Sequence, residues 1–270
     1  MIITFIGGGN MAQALIGGML RQGFKADAIR VSDIAADNRS KLAREYAVET
    51  FADLAPAATG SDIIVLAVKP QQLFEVASQL KPLLQNQLVI SIAAGIRSDD
   101  LARWLGDYPM LVRVMPNTPA MVMSGVSGMY ALPGVSAEQK QKAESILQAV
   151  GSTVWVDEER HMDTITAISG SGPAYVFYFI EALEEAALKL GLNATQARQL
   201  SLETFSGASL LAGHSTEDIR TLRARVTSKG GTTERALLTM EAAQVKQHII
   251  EAVCAAAERS RELGDELGKK

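Results

Sequence analysis

The chain has a single cysteine, Cys254, and three histidines, His161, His214 and His248, set far apart. One thiol excludes an intrachain disulfide and a cysteine-based metal cluster, and the histidine spacing matches no ligand pattern, so no metal is expected. A dominant charge of either sign is also missing. The formal net charge is -4 with 21% charged residues, which gives neither the basic footprint of a nucleic-acid binder nor the composition of an acidic disordered chain. No run approaches the roughly 20 apolar residues of a membrane span. Residues Met1–Ile6 lack a basic leader region and run into three glycines, so they read as a strand and not as a signal peptide. The expectation is a cytoplasmic protein acting on a small molecule, with no nucleic-acid or membrane partner.

What is present is an apolar fraction of 47% in 270 residues, enough for one large domain or two modest ones. Short apolar runs predict strands at Ile2–Ile6, Ile29–Ser32, Val48–Phe51, Asp62–Val68, Leu88–Ile92 and Leu111–Met115. Between them Met11–Arg21, Asp37–Tyr46 and Gln72–Leu84 carry apolar residues at helical spacing. This alternation predicts a parallel α/β sheet with helices on both faces. Gly125–Ala131 and Thr153–Val156 read as two further strands around a helix at Ala137–Val150. After Asp157 only helical patterns follow: Ala174–Leu190, Thr195–Ala212, Glu217–Val226, Thr233–Met240 and Val245–Leu263. The expected division is a first domain of residues 1–160 and a helical domain of residues 161–270.

The strongest local signal is Ile6-Gly7-Gly8-Gly9-Asn10-Met11-Ala12, between the first strand and the first helix. It fits the Gly-x-Gly-x-x-Ala fingerprint of dinucleotide sites: Gly7 for the turn, Gly9 for close approach of a pyrophosphate, Ala12 for helix–strand packing. The helix N-terminus behind it suits phosphate. The acidic residue expected about 20 positions on is Asp33, which argues for a ribose 2′-hydroxyl and NADH unless it only caps the next helix. Ser32 and Arg39 are alternative partners for the 2′-phosphate of NADPH, so both cofactors fit the sequence. Ala67-Val68-Lys69-Pro70 and Ala93-Ala94-Gly95 stand at the carboxyl ends of later strands, where ligands bind in open α/β sheets. S-adenosylmethionine is the competing ligand for such a loop.

Three more motifs complete an ordered set: Met115-Pro116-Asn117-Thr118-Pro119, Ser169-Gly170-Ser171-Gly172-Pro173-Ala174, and Val226-Thr227-Ser228-Lys229-Gly230-Gly231-Thr232-Thr233. Together with the glycine loop and Ala67–Pro70, the set resembles pyrroline-5-carboxylate reductases from residue 2 to about 263. The resemblance implies an N-terminal Rossmann-like doubly wound sheet, a C-terminal all-helical dimerisation domain, and reduction of 1-pyrroline-5-carboxylate to L-proline with NADPH or NADH. It also implies homodimers that assemble further into decamers, with the site shared between the nucleotide domain of one subunit and the helical domain of its partner. Carried over residue by residue, Gly7, Gly9, Asn10, Met11, Ala12, Ala67, Val68, Lys69, Pro70, Ala93 and Ala94 match nucleotide-contacting segments. Asn117 lies in the loop beside the nicotinamide. Ser228, Gly231, Thr232 and Thr233 match the substrate segment, with Thr233 in the place of the threonine that hydrogen-bonds the ring nitrogen. Lys229 stands where many relatives have proline, and Leu54 where some have asparagine near the adenosine.

The implied chemistry is modest in its demands, because a protonated cyclic imine is already electrophilic. Positioning should therefore carry much of the rate, in keeping with a sequence that shows no His–Asp or Cys–His pair. The Gly230–Thr233 segment leads into a helix whose N-terminus suits the substrate carboxylate; read without the resemblance, Thr232 or Thr233 is simply a helix cap. Lys69 reads as a phosphate or ribose contact, His161 as structural, and Trp104, Trp155, Tyr175 and Tyr178 as core or interface aromatics. A hydroxyacid dehydrogenase would show a motif-supported lysine in the helical part, where Lys189 and Lys246 have none. A non-catalytic redox sensor would not need the Gly-Gly-Thr-Thr segment.

Overall fold

The computed structural model describes residues 1–269. Eight strands form one sheet: β1 (Ile3–Ile6), β2 (Ile29–Ser32), β3 (Glu49–Phe51), β4 (Ile63–Leu66), β5 (Leu88–Ser91), β6 (Leu111–Met115), β7 (Gly125–Ala131) and β8 (Gly151–Trp155). Their order is β3-β2-β1-β4-β5-β6-β7-β8. All neighbours are parallel except β6 and β7. The chain reverses its direction of winding at β1, so β2 and β4 flank it. That reversal is the switch point outside which ligands bind in doubly wound sheets.

Strand periodicity sorts the core into two layers. Ile3, Phe5, Val31, Ile63, Val65 and Ile90 share one cluster with Leu15, Ile16, Met19 and Leu42. Ile6, Ile64, Leu66 and Val89 share the other with Leu73, Ala77, Leu80, Leu101 and Trp104. The first layer is covered by α1 (Asn10–Arg21), α2 (Ala36–Tyr46) and α6 (Ala137–Gln148). The second is covered by α3 (Leu54–Ala58), α4 (Pro70–Leu80) and α5 (Ser98–Trp104). The expected helix at Gln72–Leu84 stops at Leu80, and a 3₁₀ turn at Lys81–Leu83 follows. Pro82, with no N–H to give the helix, accounts for the stop. Within the second layer Tyr108 donates to the Gln87 carbonyl at 2.6 Å, and burial pushes its phenol up to about 12.

After β8 come α7 (His161–Ile165), a π-helical turn at Thr166–Gly170, and five helices: α8 (Gly172–Lys189), α9 (Ala194–His214), α10 (Ile219–Arg225), α11 (Thr232–Ala242) and α12 (Val245–Leu267). The compact units differ from the division expected at 160/161. Residues 1–171 and 256–270 form one unit, and residues 172–255 the other. Side-chain contacts explain the shift. Ile165 leaves no room for a Cβ at Gly128, and the end of the Met115 side chain packs against Gly170. Buried Arg113 pairs with Glu159 at 2.8 Å, and Glu159 also accepts from the Ser98 N–H at 2.6 Å. The last turns of α12 are tied in by Arg97–Asp265 at 2.6 Å and Ser260–Asp163 at 2.7 Å. These contacts fix α7, the π turn and the end of α12 to the sheet unit.

The second unit has almost no core of its own. Ala197 and Ser201 of α9 are its buried residues, and α8, α10 and α11 have none. Yet α8 carries Val176, Phe177, Tyr178, Leu183 and Leu188 exposed, α9 Leu200, Leu210 and Leu211, and α12 Ile249 and Ile250. An apolar surface this extensive is the mark of an association face. No helix among the described residues is long and apolar enough to cross a membrane, and none of their His, Cys, Asp and Glu side chains gather into a metal-binding group.

Candidate functional site

The three glycines of the first loop do three different things. Gly7 has φ +98°, and a Cβ there would lie 2.6 Å from the Ala67 carbonyl oxygen; only glycine fits the turn. A Cβ at Gly8 would meet Leu42 at 2.6 Å and the Asp33 carboxylate at 3.1 Å. The fingerprint leaves the middle position free, whereas here Gly8 is packed against α2 and the end of β2. Around Gly9 nothing comes within 4 Å. The backbone there is open to an approaching group, as the fingerprint requires of its second glycine.

Gly9 is the N-cap of α1, with no side-chain cap and no acidic residue in the first turn. The first-turn N–H groups of α1, with Asn10 exposed and Met11 half-buried, are therefore left for an anion. Ala12, 1% exposed, packs the helix onto the sheet.

Above this loop lies a cleft of about 430 Å³. It is lined by Gly7 and Gly9, by Ser32 and Asp33 from the end of β2, and by Ala67, Val68 and Lys69 from the end of β4, with Leu54 among its apolar lining. Seven of the residues expected at the cofactor are thus brought together. Pro70 is the first residue of α4 and Lys69 its N-cap. The Asp33 carboxylate accepts from the Gly8 N–H at 2.7 Å, the Asn38 amide at 3.0 Å and the Ala35 N–H at 2.7 Å. It caps no helix, since α2 starts after Ala35 without a side-chain cap. It clasps the glycine loop to the β2–α2 turn, a role that sequence spacing does not reveal.

The other seven expected residues do not line the cleft: Asn10, Met11, Ala12 and Pro70 sit in the first turns of α1 and α4 beside it, and Ala93, Ala94 and Asn117 lie on later loops. Ala93 is buried in the second core layer and Ala94 is exposed beside it. Asn117, 8% exposed, spends its amide internally. It donates to the Ser169 carbonyl and Oγ at 3.3 Å each and accepts from the Val126 N–H at 3.0 Å. The side chain pins the loop after β6 to the π turn, and π turns recur at functional positions.

In the second unit, Ser228 and Gly231 lie in the loop entering α11, and Thr232 and Thr233 are the first two residues of the helix. Gly231 is the N-cap and no side chain caps the helix. Neither Thr232 nor Thr233 is the helix cap. The Glu234 carboxylate accepts instead from the Gly230 N–H at 2.7 Å, and Gly231 donates to the Ser228 carbonyl at 3.0 Å. The Thr233 hydroxyl is not committed to the helix end. Of the aromatics, Trp104 is core, stacked edge-on against Phe74 at 5.4 Å, whereas Tyr178 is 71% exposed.

The donor set fits a dinucleotide: an uncapped helix N-terminus, an open glycine, and a cleft long enough to span the ends of β2, β1 and β4. Comparison with known proteins gives the same class. Residues 2–95 match a family described as NADP oxidoreductase, coenzyme F420-dependent, and residues 159–263 match pyrroline-5-carboxylate reductase dimerisation. Pyrroline-5-carboxylate reductase of Pseudomonas aeruginosa is 45% identical over 268 residues, 99% of this chain and 98% of its own. A solved pyrroline-5-carboxylate reductase from Coxiella burnetii superposes with a TM-score of 0.92 at 41% identity, covering 97% of each chain. The pyrroline carboxylate reductase of Plasmodium falciparum, solved with NADP bound, gives 0.87 at 31% identity, covering 97% of this chain and 98% of its own. Identity at this level along both chains leaves one conclusion: the protein belongs to the pyrroline-5-carboxylate reductase family.

Proposed function

We propose that the protein reduces 1-pyrroline-5-carboxylate to L-proline in the cytoplasm, as the last step of proline synthesis. The observation that carries this reading is 45% identity over 99% of the chain, a span that includes both the glycine cleft and the Gly231–Thr233 segment. A reduced nicotinamide dinucleotide supplies the hydride that the imine carbon accepts. The chain's own residues then have positioning tasks. The N-terminus of α1 and the open backbone at Gly9 hold a pyrophosphate, with Lys69 as a nearby cation. The first-turn N–H groups of α11 receive the substrate carboxylate, and the Thr233 hydroxyl fixes the ring nitrogen. No general acid is needed, because the imine arrives protonated and its C=N⁺ bond becomes the C–N bond of a secondary amine. The test is absorbance loss at the reduced-nicotinamide band with pyrroline-5-carboxylate and each cofactor in turn. Turnover with neither cofactor would remove the reading.

The exposed apolar helices support assembly, with a second copy covering α8 and α9 and such dimers building up to a decamer. Phe177 is 64% exposed. Burying a phenylalanine contributes about 1.5–3 kcal/mol, and a two-fold interface counts it twice. Phe177→Asp is expected to weaken dimerisation by at least about two decades and to lower the melting temperature. Sedimentation at micromolar concentration checks this; a variant that still sediments as a dimer shows that this face of α8 is not the interface.

A further inference from the structure

We propose that this enzyme binds NADH in preference to NADPH, and that Asp33 sets the preference. The proposal rests on the nicotinamide-dependent reading above and adds the identity of the cofactor.

In a doubly wound sheet the adenosine ribose lies against the end of β2, where Asp33 stands at the wall of the cleft. An ionised carboxylate offers about four acceptor positions. Two on Oδ2 are taken by Gly8 and Asn38, and one on Oδ1 by Ala35. Among the described residues no other group donates to Oδ1, so one position is left for a hydroxyl. The three donors hold the carboxylate in place, so it cannot swing away to admit a phosphate without releasing the Gly8 N–H. That release would disturb the loop on which the pyrophosphate itself sits.

At that end the Ser32 hydroxyl and the Asn38 amide line the cleft, but the amide already donates to Asp33, and no cation among the described lining residues stands beside them to balance a second phosphate. The lining carboxylates of the cleft are Asp33, Asp53 and Glu75, and Lys69 is the single cation among the described residues that line it. Lys69 follows β4, which is separated from β2 by β1, roughly 10 Å across the sheet. From the β3–α3 stretch Ala52, Asp53 and Leu54 line the cleft, two apolar side chains and a carboxylate that would repel a phosphate. Arg39, which the sequence offered as a phosphate partner, does not line the cleft. Its Nη1 donates to the backbone carbonyls of Asp33 at 2.7 Å and Ile34 at 3.0 Å. It braces the turn that presents Asp33.

Titration of the purified full-length enzyme with NADH and with NADPH, followed by quenching of protein fluorescence, gives the two dissociation constants without turnover. The expected result is NADH tighter by at least about tenfold, with the ratio falling by a similar factor in Asp33→Asn through a gain in NADPH affinity. Arg39→Ala loosens the brace but removes no cation from the cleft lining, so it should weaken both cofactors alike and leave their ratio within about twofold, which serves as the check if Asp33→Asn does not fold. Tighter binding of NADPH by the wild type overturns the proposal and leaves the reductase reading standing. A selective loss of NADPH in Arg39→Ala overturns it as well, and an unchanged ratio in a folded Asp33→Asn variant removes Asp33 as the determinant. Binding of neither cofactor would instead sink the underlying reading.

Discussion

Gly9→Val should bind the reduced nicotinamide dinucleotide at least about 100-fold more weakly than the wild type while keeping its fold. The backbone permits the change: Gly9 sits at φ -70° and ψ -176°, an extended conformation open to a β-branched residue, and nothing lies within 4 Å of its added Cβ. The loss of a good N-cap costs about 1 kcal/mol, a few degrees in melting temperature. The space around that Cβ is where a pyrophosphate must come to reach the first-turn N–H groups. Those bonds to a charged group contribute about 1.5–3 kcal/mol each, so displacing two of them gives two decades or more. Gly7→Val is the contrasting control. Its Cβ would collide with the Ala67 carbonyl at 2.6 Å with φ at +98°, so both melting temperature and binding should fall. Calorimetric binding with thermal melts separates the pair, and unchanged affinity in Gly9→Val would mean that the pyrophosphate lies elsewhere.

Thr233→Ala is expected to slow turnover with pyrroline-5-carboxylate by one to two decades and to spare binding of the reduced cofactor. The structure sharpens this expectation, because α11 begins at a Gly231 cap with no side-chain bond and the threonine hydroxyl has no structural duty there. Removing it should therefore barely move the melting temperature. One hydrogen bond to the reacting nitrogen is worth on the order of 1–3 kcal/mol at the transition state. Thr233→Ser keeps the hydroxyl and should retain most of the activity. Single-turnover rates measured alongside melts decide the matter. A variant that melts early but turns over normally would return Thr233 to the role of a helix residue.

The sequence by itself determined the order of elements and the class of chemistry. Continuous apolar strands such as Ile63–Leu66 are legible because burial on both faces leaves no polar position. The glycine loop is legible because turn geometry and ligand approach each demand a residue without a side chain. The ordered motifs carried family and reaction for a similar reason, since each is a local run whose neighbours are adjacent in the chain.

What required the tertiary structure were contacts between residues distant in sequence. The unit boundary moved from 160/161 to 171/172, and residues 256–270 returned to the sheet unit. Arg113, Asn117 and Arg97 each bond a segment dozens of positions or more away, which no periodicity encodes. Asp33 is the sharpest case. Its spacing from the loop marked it as a ribose partner or a cap, but its bond to the Gly8 N–H appears only when β1 and β2 lie side by side. Ala93 and Asn117 fall outside the cleft for the same kind of reason: a strand's end is readable from sequence, whereas the direction in which its loop turns is fixed by packing. The bare apolar faces of α8 and α9 complete the contrast. Their composition says that they must be covered, and only the folded chain shows that its own residues do not cover them.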